Sequence, residues 1–144
     1  DEPVSALDVS IQAQICNLLR DLQRDTGIAM IFISHDLSIV RYMATRVMVM
    51  YLGEAVEIAD RDEFFQRPRH PYSQALLQSV PEPDPSRKVL ESLQPLEGEL
   101  PSPLDPPSGC GFRTRCPKST PLCVSQEPAL QQLADRHEVA CHHA

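Results

Sequence analysis

The chain has 144 residues and a formal net charge of -7, from 13 Lys and Arg against 20 Asp and Glu. That length holds one modest core, or part of a domain with a small appendage. The acidic balance excludes a nucleic-acid partner tracked along its phosphates, which needs a basic face. The longest apolar run, Ile28 to Ile33, is far too short to span a bilayer, and no stretch resembles a signal peptide.

In chain order, Val9 to about Asp25 reads as an amphipathic helix. Ile11, Ile15, Leu18, Leu19 and Leu22 share one face at helical spacing, Asp8 is placed to cap the start and Gly27 to stop the end. The run "IAMIFIS" follows, continuously apolar and rich in β-branched and aromatic residues, and reads as a buried strand. Helix followed by apolar strand is the rhythm of an α/β fold with a covered parallel sheet. Asp36 is placed to cap a second helix over "LSIVRYMATR", with Leu37, Val40 and Ala44 inward. "VMVMY" reads as a strand and "EAVEIAD", after Gly53, as its hairpin partner. Two short helices are expected at "RDEFFQR" and "PYSQALLQSV", the latter with Pro71 in its first turn.

After Val80 the texture changes. "PEPDPSRK" and "GELPSPLDPPSG" are proline-dense and continue neither helix nor central strand, so roughly 81–107 reads as an extended linker. A short helix is expected near "PALQQLADR". No internal repeat is present.

Cysteine use is uneven. Cys16 sits alone in a helical pattern beside the apolar face, as a small buried residue does. Cys110, Cys116, Cys123 and Cys141 crowd the last third, separated by five, six and seventeen residues. An odd total beside a long regular first half does not suggest a secreted disulfide scaffold, and clustered intracellular thiols more often hold a metal. Gly109, Gly111, Pro117 and Pro121 favour tight turns around the cluster. Arg113, Arg115 and Lys118 either offset thiolate charge or are simply solvated. Four thiolates with no obligatory histidine suit Zn²⁺ or a [4Fe–4S] cluster. His137, His142 and His143 are either substitute ligands or a polar tail.

Taken singly, Asp1 and Glu2 read as solvated acids, Ser5 and Asp8 as turn and capping residues, and His35 as a hydrogen-bonding residue at a strand end. In combination, "DEPVSALD", a long helix, an apolar strand and then "SHDL" resemble the second half of an ABC transporter ATPase domain. The resemblance implies that Asp1 is the Walker B aspartate that helps hold Mg²⁺, and that Glu2 orients or deprotonates the attacking water. It also implies that Ser5 and Asp8 belong to the D-loop facing the partner subunit across bound ATP, and that His35 is the switch histidine sensing the γ-phosphate. These are the parts phosphoryl transfer needs: a metal to neutralise charge, a carboxylate to position water, a polar group to steady the transferring phosphate. No G-x-x-x-x-G-K-[ST] loop, Q-loop or LSGGQ-like signature occurs in the 144 residues. The chain is therefore expected to be the C-terminal part of a longer ATPase and inactive alone.

"HPYSQALLQSVPEPDP" and "LEGELPSPLDPPSGCGFRTRCP" resemble the C-terminal extension of subunits that power oligopeptide and dipeptide importers, including relatives for glutathione and nickel. His70-Pro71-Tyr72 is the tripeptide for which that extension is named. The expected layout is an α/β, partial P-loop NTPase portion over 1–66, a parallel-sheet remnant with helices. An extension over 67–144 follows, Pro-rich at about 81–107 and with a four-Cys site at 108–144. The resemblance implies ATP and Mg²⁺ as cofactors and favours [4Fe–4S] over Zn²⁺ at the cysteines. It implies a second ATP-binding subunit, the same or different, two membrane permease subunits and, indirectly, an extracytoplasmic peptide-binding protein. The expected place is the cytoplasmic face of the membrane, as a peripheral protein. The alternative is a non-catalytic, metal-binding interaction module.

Overall fold

A computed structural model describes residues 1–80 and 98–144, in two compact units, residues 1–45 and 46–144. Most of the expected 81–107 linker therefore lies outside the described residues, while 98–107 contain neither helix nor strand. No described helix is long and apolar enough to cross a membrane.

The first unit is built on helix α1 (Val9–Thr26). The Asp8 carboxylate accepts the Ile11 N–H, and Gly27, at φ 68°, closes the other end through its N–H to the Gln23 carbonyl. That left-handed stop strains any residue with a Cβ. Helix α2 (Leu37–Met43) starts at Asp36, whose carboxylate takes the N–H groups of Ser38 and Ile39. It ends three residues short of the expected Arg46, because Arg46 already belongs to the next strand. The two helices meet where the Tyr42 hydroxyl bonds Asn17 and the Arg20 guanidinium lies 4.5 Å over the Tyr42 ring.

The expected strand "IAMIFIS" is not formed. Residues 27–34 form neither helix nor strand and are joined to the first residues by one bond from Glu2 N–H to the Ile33 carbonyl at 3.0 Å. A parallel strand exists only between neighbours that satisfy its backbone, and none of the described residues flanks this run on both sides. Ile28, Ile31 and Ile33 of the run stay open to solvent, Ile31 being 92% exposed, while Met30 and Phe32 are half-buried.

The second unit corrects the expected parallel sheet to an antiparallel one. Strands β1 (Arg46–Tyr51), β2 (Glu54–Asp60), β3 (Gln131–Ala134) and β4 (His137–Val139) lie in the order β1-β2-β4-β3, every neighbouring pair antiparallel. The expected β1–β2 hairpin forms through Leu52 and Gly53, both at positive φ, the turn whose twist matches the strands. Along β1, Val47, Val49 and Tyr51 are buried while Arg46, Met48 and Met50 face out. The expected helix near "PALQQLADR" is instead β3 and its turn into β4. Leu130 and Leu133 have helical spacing, but a short segment headed by Pro128 nucleates helix poorly, whereas β4 offers it an open edge.

Helices α3 (Arg61–Gln66) and α4 (Pro71–Gln78) follow the hairpin. Phe64 of α3 is fully buried. The tripeptide His70-Pro71-Tyr72 starts α4 with a separate task for each residue. The His70 Nδ1 accepts the Tyr72 N–H at 3.1 Å as the N-cap, and Pro71 occupies the first turn, where no N–H is needed. Tyr72 stacks edgewise on Tyr51 at 4.8 Å, and Phe112 fills the space among Tyr51, Tyr72 and His70.

Beneath this aromatic cluster lies a buried carboxylate. Glu57 of β2 accepts the N–H groups of Arg69 (2.8 Å) and His70 (2.9 Å), and its Oε1 is 2.8 Å from His137 Nε2 of β4. Glu57 and His137 are almost wholly buried. One carboxylate thus ties together β2, the entry to α4 and the tail strand.

Burial pushes the His70 imidazole down to about 4, against the pull of Glu57. The unfolded chain therefore binds a proton at His70 that the folded chain refuses between about pH 6.5 and 4. Stability present above pH 6.5 is expected to fall by roughly 3 kcal/mol as the pH drops through that window. Urea denaturation of His70→Asn, which keeps a capping side chain without a titrating ring, is expected to show a flatter pH profile there.

Candidate functional site

In the first unit, the bond from Glu2 N–H to the Ile33 carbonyl brings the start of the chain beside the segment that ends at His35. His35 Nδ1 then lies 2.8 Å from Glu2 Oε1, a contact between residues 33 positions apart. Glu2 has φ 40°, a left-handed backbone that a β-substituted residue adopts only under constraint. The Ser5 hydroxyl and N–H both donate to the Glu2 carbonyl, at 3.2 and 3.4 Å, and close the turn. Gln12 Nε2 donates to the carbonyl of buried Val4, pinning the turn to α1. Asp8 caps α1, and Asp1 is exposed. The structure thus brings Glu2, Ser5 and His35 together, with Asp8 one turn away in sequence.

The pair is open to solvent, with the His35 side chain 75% and the Glu2 side chain 46% exposed. The hydrogen bond and negative charge of Glu2 raise the His35 pKa, with a smaller contribution from Asp36. A cleft of about 770 Å³ between α1 and α2, lined by Arg20, Arg24 and Tyr42 among others, includes none of these residues.

The second constellation is the cysteine loop of the second unit. Phe112, anchored in the aromatic cluster, holds the loop that carries Cys110 and Cys116. Cys110 N–H donates to the Cys123 carbonyl at 2.8 Å. Gly109, at φ 67°, makes that approach possible, since a Cβ there would lie 2.4 Å from the same carbonyl oxygen. Cys123 is on the short helix α5 (Pro121–Ser125), and Cys141 follows β4.

Cys110, Cys116 and Cys141 are half-buried, Cys123 is buried, and all are free thiols. Burial raises the pKa of Cys110, Cys116 and Cys141, and each is raised further by other thiols of the group. Opposing this, backbone N–H groups donate to three of the sulfurs: Phe112 and Arg113 to Cys110, Lys118 to Cys116, and His143 to Cys141. The four thiols share one region, yet among the described residues no three His, Cys, Asp or Glu side chains stand placed to hold a metal ion. The three tail histidines are engaged elsewhere: His137 with Glu57, His142 with the Gln126 carbonyl, His143 with Thr120.

Residues 56–123 match the family model "Oligopeptide/dipeptide transporter, C-terminal region". Over 141 residues, 98% of this chain and 42% of the relative, it is 56% identical to the oligopeptide transport ATP-binding protein of Escherichia coli strain K12. Over nearly its whole length the chain is thus similar to part of a protein named as a transport ATP-binding protein. A probable peptide ABC transporter ATP-binding protein of Sinorhizobium fredii is 57% identical over 142 residues, 99% of this chain and 40% of the relative. A putative peptide import ATP-binding protein of Brucella ovis is 53% identical over 141 residues, 98% and 44% of the two chains. The chain spans about two fifths of the length of these relatives.

Two residues of structural weight escaped the sequence reading, and a third, His143, was read there only as a substitute ligand or part of a polar tail. Glu57 was legible as the one carboxylate inside the otherwise apolar middle of β2. Thr120 was legible as a cap before Pro121, but its actual partners are not. Nothing local links His143 to either.

A proton NMR titration of the imidazoles tests the first constellation. His35 is expected to titrate above the ordinary histidine range, and Glu2→Gln to bring it back down.

Proposed function

We propose that this chain supplies catalytic residues and the C-terminal extension of an ATP-hydrolysing subunit that energises import of dipeptides or oligopeptides. The observation that carries the reading is the 2.8 Å Glu2–His35 contact in a chain whose homologues are named as peptide-transport ATP-binding proteins. Residues 1–66 are the ATPase portion and 67–144 the extension.

In this reading Glu2 orients or deprotonates the attacking water, and His35 steadies the γ-phosphate. Glu2 holds the imidazole by its Nδ1, so the ring is oriented before ATP arrives. Asp1 holds Mg²⁺, an assignment its hard carboxylate oxygens suit, and the ion when bound neutralises phosphate charge. Ser5 shapes the turn behind Glu2, and Asp8 combines capping of α1 with a place facing a second ATP-binding subunit. Two permease subunits and an extracytoplasmic peptide-binding protein complete the transporter, with this subunit peripheral at the cytoplasmic face.

Cys110, Cys116, Cys123 and Cys141 are read as ligands of a [4Fe–4S] cluster, with Zn²⁺ as the alternative. The donor set fits: four thiols in one region, three already accepting backbone N–H bonds of the kind that stabilise thiolate ligands. A metal bound there would be held by these four sulfurs and would supply a cross-link to a segment with little core of its own.

Two measurements test these readings. The 144-residue chain is expected to show no ATPase activity, and the full-length product of its gene to show activity that Glu2→Gln lowers about a hundredfold or more. A full-length product that binds no nucleotide overturns the transport reading. An anaerobic preparation is expected to be brown, and Cys116→Ser to lose both colour and the protection of the cysteine loop while α1 stays folded. A colourless protein with stoichiometric zinc overturns the iron–sulfur assignment.

A further inference from the structure

The tail ends in two adjacent histidines, and the structure shows each gripping a different end of α5. His142 Nε2 lies 3.0 Å from the carbonyl of Gln126, the residue that caps the C-terminus of α5. His143 Nε2 lies 3.0 Å from the hydroxyl of Thr120, the residue that caps its N-terminus. The five-residue helix between them carries Cys123. A clasp of this form spans the helix and leaves neither imidazole Nε2 free.

Thr120 is the telling residue. A threonine at an N-cap ordinarily turns its hydroxyl onto the backbone N–H groups of the helix it starts. Here the side chain makes no capping bond. Its hydroxyl faces His143 Nε2 and, at 3.5 Å, the sulfur of Cys123. His143 also donates its backbone N–H to the sulfur of Cys141 at 3.4 Å. One histidine is therefore bonded to one thiol by its backbone and to a second through the threonine hydroxyl. Cys123 and Cys141 stand eighteen positions apart, and no other described residue is hydrogen-bonded towards both of their sulfurs in this way.

We propose that His143 and Thr120, with His142 as the second arm of the clasp, are positioning residues that hold the sulfurs of Cys123 and Cys141 in place as metal ligands. The inference rests on the reading of the four cysteines as a metal site, and it assigns the histidines to support rather than ligation. Outer hydrogen-bond partners of this kind orient ligating groups, and losing one typically weakens metal affinity tenfold to a hundredfold. Thr120→Val removes the hydroxyl at nearly constant volume, and Thr120→Ser keeps it.

The test uses the full 144-residue chain in two states. In the first, Zn²⁺ is titrated against a chromophoric chelator. Thr120→Val and His143→Ala are expected to bind Zn²⁺ about tenfold to a hundredfold more weakly than the unmodified chain, and Thr120→Ser to bind like it. In the second, the metal-free chain is alkylated with iodoacetamide and each cysteine followed by mass spectrometry. Cys123 is expected to react severalfold faster in Thr120→Val and His143→Ala, with Cys16 unchanged as the internal reference.

Thr120→Val matching Thr120→Ser in both measurements overturns the proposal. If no variant and not even the unmodified chain binds Zn²⁺, while alkylation still separates valine from serine, the metal reading falls and the clasp stands. Equal Zn²⁺ affinity in every variant, with unchanged alkylation of Cys123, leaves the metal site standing and removes the clasp.

Discussion

A carboxylate that loses its water must be repaid in hydrogen bonds, and in the second unit the demands of Glu57 organise what surrounds it. Stripped of solvent without partners, such a group costs several kcal/mol. Glu57 meets that cost with two backbone N–H groups from the entry to α4 and the Nε2 of His137 on the tail strand. These donors come from two separate parts of the chain, so satisfying one side chain fixes the direction in which α4 leaves and the register in which β4 joins β2. Further ion pairs, Arg46–Glu138 at 2.7 Å and Arg136–Asp60 at 2.9 Å, are more exposed and add less.

From that anchor the arrangement of the cysteine loop follows. With α4 held, Tyr72 meets Tyr51, and Phe112 closes the cluster by packing against both and against His70. Phe112 lies between Cys110 and Cys116, so burying its ring settles where their loop begins and ends. Gly109 then lets the loop touch α5 backbone to backbone, and β4 delivers Cys141 from the other side. Metal-binding segments poor in apolar residues usually depend on the metal for their order. Here a single aromatic side chain ties the segment to a core before any metal is considered.

The first unit works by other means. Its turn at residues 1–8 is held by backbone bonds and by the Gln12 contact to Val4, and the Glu2–His35 pair it presents is open to water. Exposure suits the role proposed for the pair, which is to meet a phosphate and a water molecule. Much apolar surface in this unit is open as well, including Leu18 and Ile31.

The sequence by itself determined the local features. The α1 and α2 starts were legible because Asp8 and Asp36 cap through bonds spanning three residues or fewer, and the β1–β2 hairpin because Gly53 suits its turn. The ordered motif "DEPVSALD…SHDL" was likewise legible, as were His70-Pro71-Tyr72 and the four clustered cysteines, since each needs only residue types at a spacing. Only the tertiary structure decided that "IAMIFIS" is unpaired and that "PALQQLADR" is strand. An apolar run has no intrinsic partner, and a short segment takes the conformation its neighbour offers. It also decided that Glu57 reaches His137 across eighty residues, and that the Thr120 hydroxyl, instead of capping its own helix, joins His143 across twenty-three. Such contacts exist only after the chain has closed on itself, so no window of the sequence contains them.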